Sequence, residues 1–323
     1  MTCAAPPVHK RWLGVFAAVA LLLGTVAADV PAPLLLRIAS APDDDVTPIL
    51  WADKAGLFRA AGIAVEITST RSGATVATGV VSGAIEIGKS SLLPIVLAHA
   101  RGLPLTIVAQ GSLYQTTTLQ SGLLVLRDSP IRSPRDLEGK IVSVPGLNDL
   151  QWLALQAWID KGGGNSKRVS FIEAPATSVG VALDGGRIAA GALQNPAFSQ
   201  DLATGRYRNL GRPLDGISQR LMISAWFANA DFVAKNADAM RKFSEILNRA
   251  EAYANTHHDE TVDLLAGFSG MEPATIRTMG RAVYASSLDP TLIQPLINTA
   301  AKYGSIPAAF DARDLFSPYA YRK

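Results

Sequence analysis

The segment Gly83-Ala-Ile-Glu-Ile-Gly-Lys-Ser90 has the residue types and spacing of a phosphate-binding loop. Phosphate chemistry needs a strand before the first glycine, then a pliable loop whose amides surround the ligand. Here residues 74–82 read as a helix, Ala84 to Ile87 reads as a short strand, and Glu86 would repel phosphate, so the match is a coincidence of letters. Nucleophile and metal chemistry are equally sparse. The four histidines, His9, His99, His257 and His258, form no His-Glu-x-x-His pattern and no cluster with cysteine, which argues against a built-in zinc site. Gly216-Ile-Ser-Gln-Arg220 lacks the last glycine of a nucleophile elbow and leaves Ser218 as a turn residue. His99 shares a helix face with Ile95 and Val96 and reads as a packed surface histidine. No paired-carboxylate motif is present, so neither a catalytic residue nor a cofactor is expected.

The residues that do suggest chemistry are polar loops, each following a strand: 40–47, 70–73, 89–91, 111–117, 146–149 and 194–196. In open α/β sheets ligands bind at the carboxyl edge of the strands, beside helix N-termini whose free amides favour anions. Polar strand-end loops occur in any α/β protein. Their order along this chain, four in the first half and two in the second, describes a cleft between two lobes.

The elements that position those loops are legible from periodicity. Strand-like runs at 34–39, 63–68, 84–87 and 105–109 alternate with helical stretches, one opened by Thr47 as N-cap and Pro48 as first helical residue. A second series follows Ser121: strands at 122–127, 140–144 and 169–172, an amphipathic helix carrying Leu150, Leu153, Ala154, Ala157 and Trp158, and a helix stopped by Gly185 and Gly186. Residues 187–196 echo 83–91 at the matching place in the other half. This alternation predicts helix-covered parallel sheets. One more strand spans 222–228. The remainder reads as helices with no new sheet, among them a helix with Met240, Phe243, Ile246, Leu247, Ala250 and Tyr253 on one face.

Composition bounds the class. The chain has 323 residues, 48% hydrophobic and 18% charged, which excludes disorder and coiled coil and suits two domains or one large α/β unit. His9, Lys10 and Arg11 precede the uncharged stretch from Trp12 to Ala28, which ends in small residues. That is the pattern of a secretory signal peptide over 1–28, with cleavage after Ala27 or Ala28. Its removal takes Lys10 and Arg11 from the 30 basic residues and leaves 28 against 27 acidic, so the formal +3 becomes +1. A nucleic-acid groove thereby loses its compositional support. Cys3, the only cysteine, leaves with the signal, and no cysteine follows the apolar stretch to anchor a lipid. A free periplasmic protein, a monomer in solution, is expected.

Four motifs in order resemble a known family. Trp51-Ala-Asp-Lys-Ala-Gly-Leu-Phe with Gly62-Ile-Ala-Val-Glu66 resembles its "A-x-x-x-G-L-F … G-I-x-V-E" opening. Val81-Ser-Gly-Ala-Ile-Glu-Ile-Gly88 is similar to "x-x-G-x-I-D-x-G". Residues 129–144 resemble "S-P-I-x-x-x-x-D-L-x-G-K-x-V", and 182–190 "A-L-x-x-G-x-I-D-A". On these the chain is identified as resembling the NMT1/THI5-like, or SsuA/TauA-like, solute-binding proteins of ABC importers. The resemblance implies an α/β fold of the type II periplasmic binding protein, two α/β lobes with a ligand cleft between them. Lobe 1 would take 34–120 and 222–323, and lobe 2 would take 121–221.

By position the resemblance implies a ligand pocket of Asp44, Thr47, Arg71, Ser72, Ser90, Ser91, Ser112 and Tyr114 from lobe 1. Lobe 2 would add Asn148, Asp149 and Asn195, and Trp226 would stack on the ligand. The implied function is capture of a small organic anion, of the sulfonate, taurine, nitrate or aromatic carboxylate class, by hinge closure. The partner would be an ABC permease in the inner membrane. Alternatives on the same fold are a pyrimidine-synthase-like enzyme and a ligand-sensing subunit of a membrane receptor. This chain departs from the family pattern at Leu147, where a hydroxyl donor is usual, and at Ala189 and Asn195, where acids are usual. Asn195 and Arg71 favour an anion, whereas Asp43, Asp44 and Asp45 favour an amine or serve as helix caps.

Overall fold

The computed structural model describes residues 1–5, 32–70 and 73–320. The expected signal segment, beyond residue 5, and both Arg71 and Ser72 lie outside the described residues. No described helix is long and apolar enough to cross a membrane. The strands and helices all belong to the unit from Pro33 to Lys323.

The chain opens with β1 (Leu34–Ser40), α1 (Thr47–Lys54), α2 (Leu57–Ala60), β2 (Ile63–Ser69), α3 (Gly73–Ser82), β3 (Ile87–Ser91), α4 (Leu92–Ala100), β4 (Leu105–Gln110) and β5 (Ser112–Gln115). The middle of the chain forms β6 (Ser121–Leu126), β7 (Ile141–Val144), α5 (Leu150–Lys161), β8 (Ser170–Glu173), α6 (Ala176–Asp184), β9 (Ala190–Gln194), α7 (Ala197–Ala203) and β10 (Tyr207–Gly211). It closes with β11 (Arg220–Met222), β12 (Ser224–Asn229), α8 (Ala230–Lys235), α9 (Ala237–Ala254), α10 (Val262–Ser269), α11 (Pro273–Thr278), β13 (Val283–Tyr284) and α12 (Gln294–Lys302).

These strands form two five-stranded sheets, ordered β2-β1-β3-β12-β4 and β10-β6-β9-β7-β8, and a small sheet ordered β11-β5-β13. The small sheet is the connection between the large ones. β5 leaves the first large sheet, β11 returns to it, and the two run antiparallel with Tyr114 opposite Leu221. Two α/β lobes joined by two crossing strands are the architecture expected from the sequence.

Alternation builds both cores. In β6 the even side carries Leu124, packed with Val179, Leu183 and Phe198, while Leu123 and Val125 pack on the other side with Val142, Leu155 and Ile159. In the first sheet Leu36, Ile38 and Trp226 face α1 and α9, and Ile107 and Phe227 face α4 and α12. The α9 face read from sequence is the buried one, with Met240, Phe243, Leu247 and Ala250 all inside. Helix α5 has a double role: Leu155 and Ile159 belong to the second lobe's core, whereas Leu150, Leu153 and Ala154 pack with residues of α4 and α12. It therefore carries its N-terminus to the junction of the lobes.

Several local expectations are corrected. The sheets are mixed, because β12 runs antiparallel to both β3 and β4, and β6 runs antiparallel to β9 and β10. Strand β3 begins at Ile87, three residues later than read, so Lys89, Ser90 and Ser91 are its last residues and form no loop. The shift comes from Glu86, which accepts the Arg37 backbone N–H at 2.7 Å and its Nε at 2.9 Å, and from Ser91 pairing with Ser224. Residues 112–115, read as loop, are β5. The tail does add a strand, β13, which pairs with β5. Thr47 is not an N-cap: a 3-10 turn over Asp44–Val46 precedes α1, and the Thr47 hydroxyl donates to Asp44 Oδ1 at 2.8 Å.

Candidate functional site

Strand ends from both large sheets meet at two adjoining cavities of about 410 and 50 Å³, whose walls share Asp43, Gln151, Gln194 and Ile223. The larger is closed on the first-lobe side by Lys89, Ser90 and Ser91 at the end of β3 and by the start of α3. On the second-lobe side stand Gly146 to Gln151 and Glu173. Pro94, Pro145, Leu147, Leu214 and Ile223 supply an apolar part of its wall. The smaller lies between Asp43 to Asp45, Ser112 and Tyr114 of the crossover, and Gln194 and Asn195.

Lys89 is 3% exposed and is held between two carboxylates, with Nζ 2.7 Å from Asp43 Oδ1 and 3.1 Å from Asp45 Oδ2. Burial opposes its charge, but the two carboxylates outweigh burial and hold its ammonium above the usual range. Burial also pushes the Asp43 carboxyl up to about 6, with Asp45 adding to that effect and Lys89 opposing it. The lysine of the phosphate-loop pattern is thus consumed by an internal ion pair. Asp43 caps nothing with its side chain, so the helix-capping reading of the acidic run is set aside there.

Asn148 adopts the left-handed conformation, φ 63°, which asparagine tolerates better than most residues. That turn lets Asp149 cap α5 by accepting the Gln151 N–H at 3.1 Å. The other Asp149 oxygen accepts from Ser91 Oγ at 3.0 Å, the direct polar contact between the end of β3 and the second lobe. Burial raises the Asp149 carboxyl, although both hydrogen bonds favour its charged form. Glu173 accepts the Leu147 N–H at 2.7 Å and shapes the same loop.

The structure brings Ser90, Ser91, Asn148 and Asp149 together in the larger cavity, and Asp44, Ser112, Tyr114 and Asn195 in the smaller. Several of the latter are already engaged. Ser112 Oγ lies 3.0 Å from Ser224 Oγ, Tyr114 donates to Asp215 at 2.8 Å, and Asn195 donates to the Gly280 carbonyl at 2.8 Å while accepting from Ser199. Asp44 is paired bidentately with Arg281 at 2.8 Å to each oxygen. Two placements differ from expectation. Thr47 is fully buried behind Asp44, and Trp226 is 1% exposed in the core of the first lobe, edge-on to Phe243, because its position in β12 points away from the cleft.

Polar wall residues that the sequence reading does not single out as ligand contacts include Lys89, Gln120, Ser121, Gln151, Glu173 and Gln194. Gln151 stands two residues past the cap of α5, in the first turn of a helix whose N-terminus faces the cleft, and that position was the available signal.

The NMT1/THI5-like family matches residues 43–261. No curated protein matches the chain in sequence. Among solved structures, the periplasmic aliphatic sulphonate binding protein SsuA from Escherichia coli is 18% identical, with a TM-score of 0.73 over 90% of this chain and 94% of that one. The alkanesulfonate-binding protein SsuA from Xanthomonas axonopodis pv. citri, bound to MOPS, is 20% identical with a TM-score of 0.69, covering 90% and 99%. The desulfurization enzyme DSZB is 15% identical with a TM-score of 0.65, covering 88% and 96%.

Proposed function

The chain belongs to the NMT1/THI5-like family, and from that premise we propose that it is the extracytoplasmic solute-binding protein of an ABC importer. In this reading residues 34–120 and 222–323 form one lobe and 121–221 the other. A small organic solute enters between them, and hinge closure presents a loaded monomer to an inner-membrane permease. Export by a signal peptide over 1–28 is part of the same proposal.

The observation that carries it is the meeting of strand ends from both sheets at one cavity of about 410 Å³, bridged by the Ser91 to Asp149 hydrogen bond. A site assembled from two lobes is complete only when they approach, which couples binding to closure. Catalysis is the weaker reading. DSZB has this fold, but the described walls of both cavities carry no cysteine or histidine. The organic-anion class rests on Asn195, whose amide is engaged with Gly280 and Ser199, and on Arg71, which lies outside the described residues.

Native mass spectrometry of protein purified from periplasm tests the proposal. A co-purifying small molecule, released unchanged on denaturation, is the expected result. Chemical turnover of that molecule during incubation would replace the binding function with an enzymatic one.

A further inference from the structure

The walls of the two cavities have an unbalanced charge. Among the described residues that line them, Asp43, Asp44, Asp45, Asp149 and Glu173 are carboxylates and Lys89 is the one cation. Lys89 offsets one of the five, and Arg281 behind Asp44 offsets a second. Among the described residues three of the carboxylates have no cation of their own. Asp149 accepts from neutral donors, the Gln151 N–H and the Ser91 hydroxyl, and Lys89, whose ion pairs are with Asp43 and Asp45, acts on it through space. A ligand anion placed beside Asp149 would meet like charge at close range, which is unfavourable.

Gln151 is an independent observation. It lines both cavities, is 6% exposed, and its Oε1 is buried and accepts no hydrogen bond from the described residues. A buried acceptor without a donor is destabilising, and a ligand that brings a donor relieves that cost. Carboxylates and an orphaned carbonyl oxygen all ask for the same thing, an N–H-rich, positively charged group. The apolar wall of Pro94, Leu147, Leu214 and Ile223 has room for a carbon body attached to it.

We propose that the solute is an organic ammonium ion, its charged nitrogen placed beside Asp149 and Gln151 Oε1 and its apolar body on the Leu147–Ile223 side. This rests on the solute-binding reading above and adds the ligand class. Sulfonate and ammonium recognition need opposite signs at the same place, and the described walls have the sign that suits the ammonium.

The test is isothermal calorimetry on the purified exported protein at pH 7 with three probes of matched shape: benzylamine, benzyl alcohol and phenylmethanesulfonate. Benzylamine is expected to bind at least about tenfold more tightly than the other two, equivalent to roughly 1.4 kcal/mol. Asp149→Asn, which keeps a helix cap, and Gln151→Met, which keeps the volume, are each expected to weaken benzylamine by about tenfold or more. Their melting temperatures provide the folding control. Tighter binding of the sulfonate, or equal binding of all three, overturns the ammonium class and leaves the solute-binding role standing. Benzylamine affinity that neither folded variant changes overturns the placement. Absence of binding by any probe, together with no co-purifying molecule, overturns both.

Discussion

Asp44→Asn tests the electrostatic anchor on which the first cleft loop depends. Asp44 receives the Thr47 hydroxyl at 2.8 Å, Arg281 Nε and Nη2 at 2.8 Å each, and the Ala282 N–H at 2.6 Å. Its side chain and that of Arg281 are 8% and 7% exposed. Asparagine keeps the volume but replaces one acceptor oxygen with an NH2 group that meets a guanidinium donor. The arginine is then a buried charge without its counter-ion, a change that costs about 3–5 kcal/mol, from a total stability of about 5–15 kcal/mol. With a urea m-value of about 3 kcal/mol/M for a chain of this size, the midpoint should fall by roughly 1–1.7 M at unchanged m. Urea unfolding followed by tryptophan fluorescence measures this. The double variant Asp44→Leu/Arg281→Met removes both charges and should lose less than Asp44→Asn alone. A single-variant cost below about 1 kcal/mol, or a double variant as unstable as the two singles summed, would refute the assignment of Asp44 to an anchoring role.

Two further outcomes depend on burial. Glu251 is fully buried in α9, and burial raises its carboxyl well above the usual range, with Asp45 adding to the effect. Above the unfolded-state value the folded protein therefore keeps a proton that the unfolded chain gives up. Stability then falls as pH rises toward the folded value, at about 1.4 kcal/mol per pH unit. Glu251→Gln should match the wild type near pH 4 and gain melting temperature over it steadily toward pH 7; a difference independent of pH would show that Glu251 is not held protonated. At Gly88 in β3 an added Cβ would sit 2.5 Å from Val76 Cγ1 and 2.7 Å from Phe227 Cζ. Gly88→Ala should cost about 1–3 kcal/mol by overpacking, read from the urea midpoint, and a neutral result would mean that α3 moves freely over β3.

The fold was legible because its signals are local. The strand over 122–127, the stripe on α9 and the glycine stop after α6 each depend on a few neighbouring residues, and the structure uses them as read. The misreadings share a different cause. β3 starts late because Arg37, 49 positions away, binds Glu86; β5 is a strand because Leu221 and Val283 arrive to pair with it. Parallel and antiparallel pairing likewise depend on which distant strand inserts, and β12 enters the first sheet only after the whole second lobe has been built.

The same distinction governs the site. Position along strand ends is enough to place Ser90, Ser91, Asn148 and Asp149 around one cavity, since a helix N-terminus beside a strand end is a local feature. Charge state is not local. Lys89 reads as an unpaired cation of a polar loop until Asp43 and Asp45, more than 40 positions earlier, are found on its ammonium, and Asp44 reads as a ligand contact until Arg281 is found behind it. Ion pairing between distant segments removes two cations from the count available to a ligand and leaves Asp149 and Gln151 with unfilled hydrogen-bonding capacity toward positive charge. Family likeness points to the cleft as the place for a solute. The sign of that solute's charge is set by which of the chain's own charges have already neutralised one another, and among the described residues the surplus is negative.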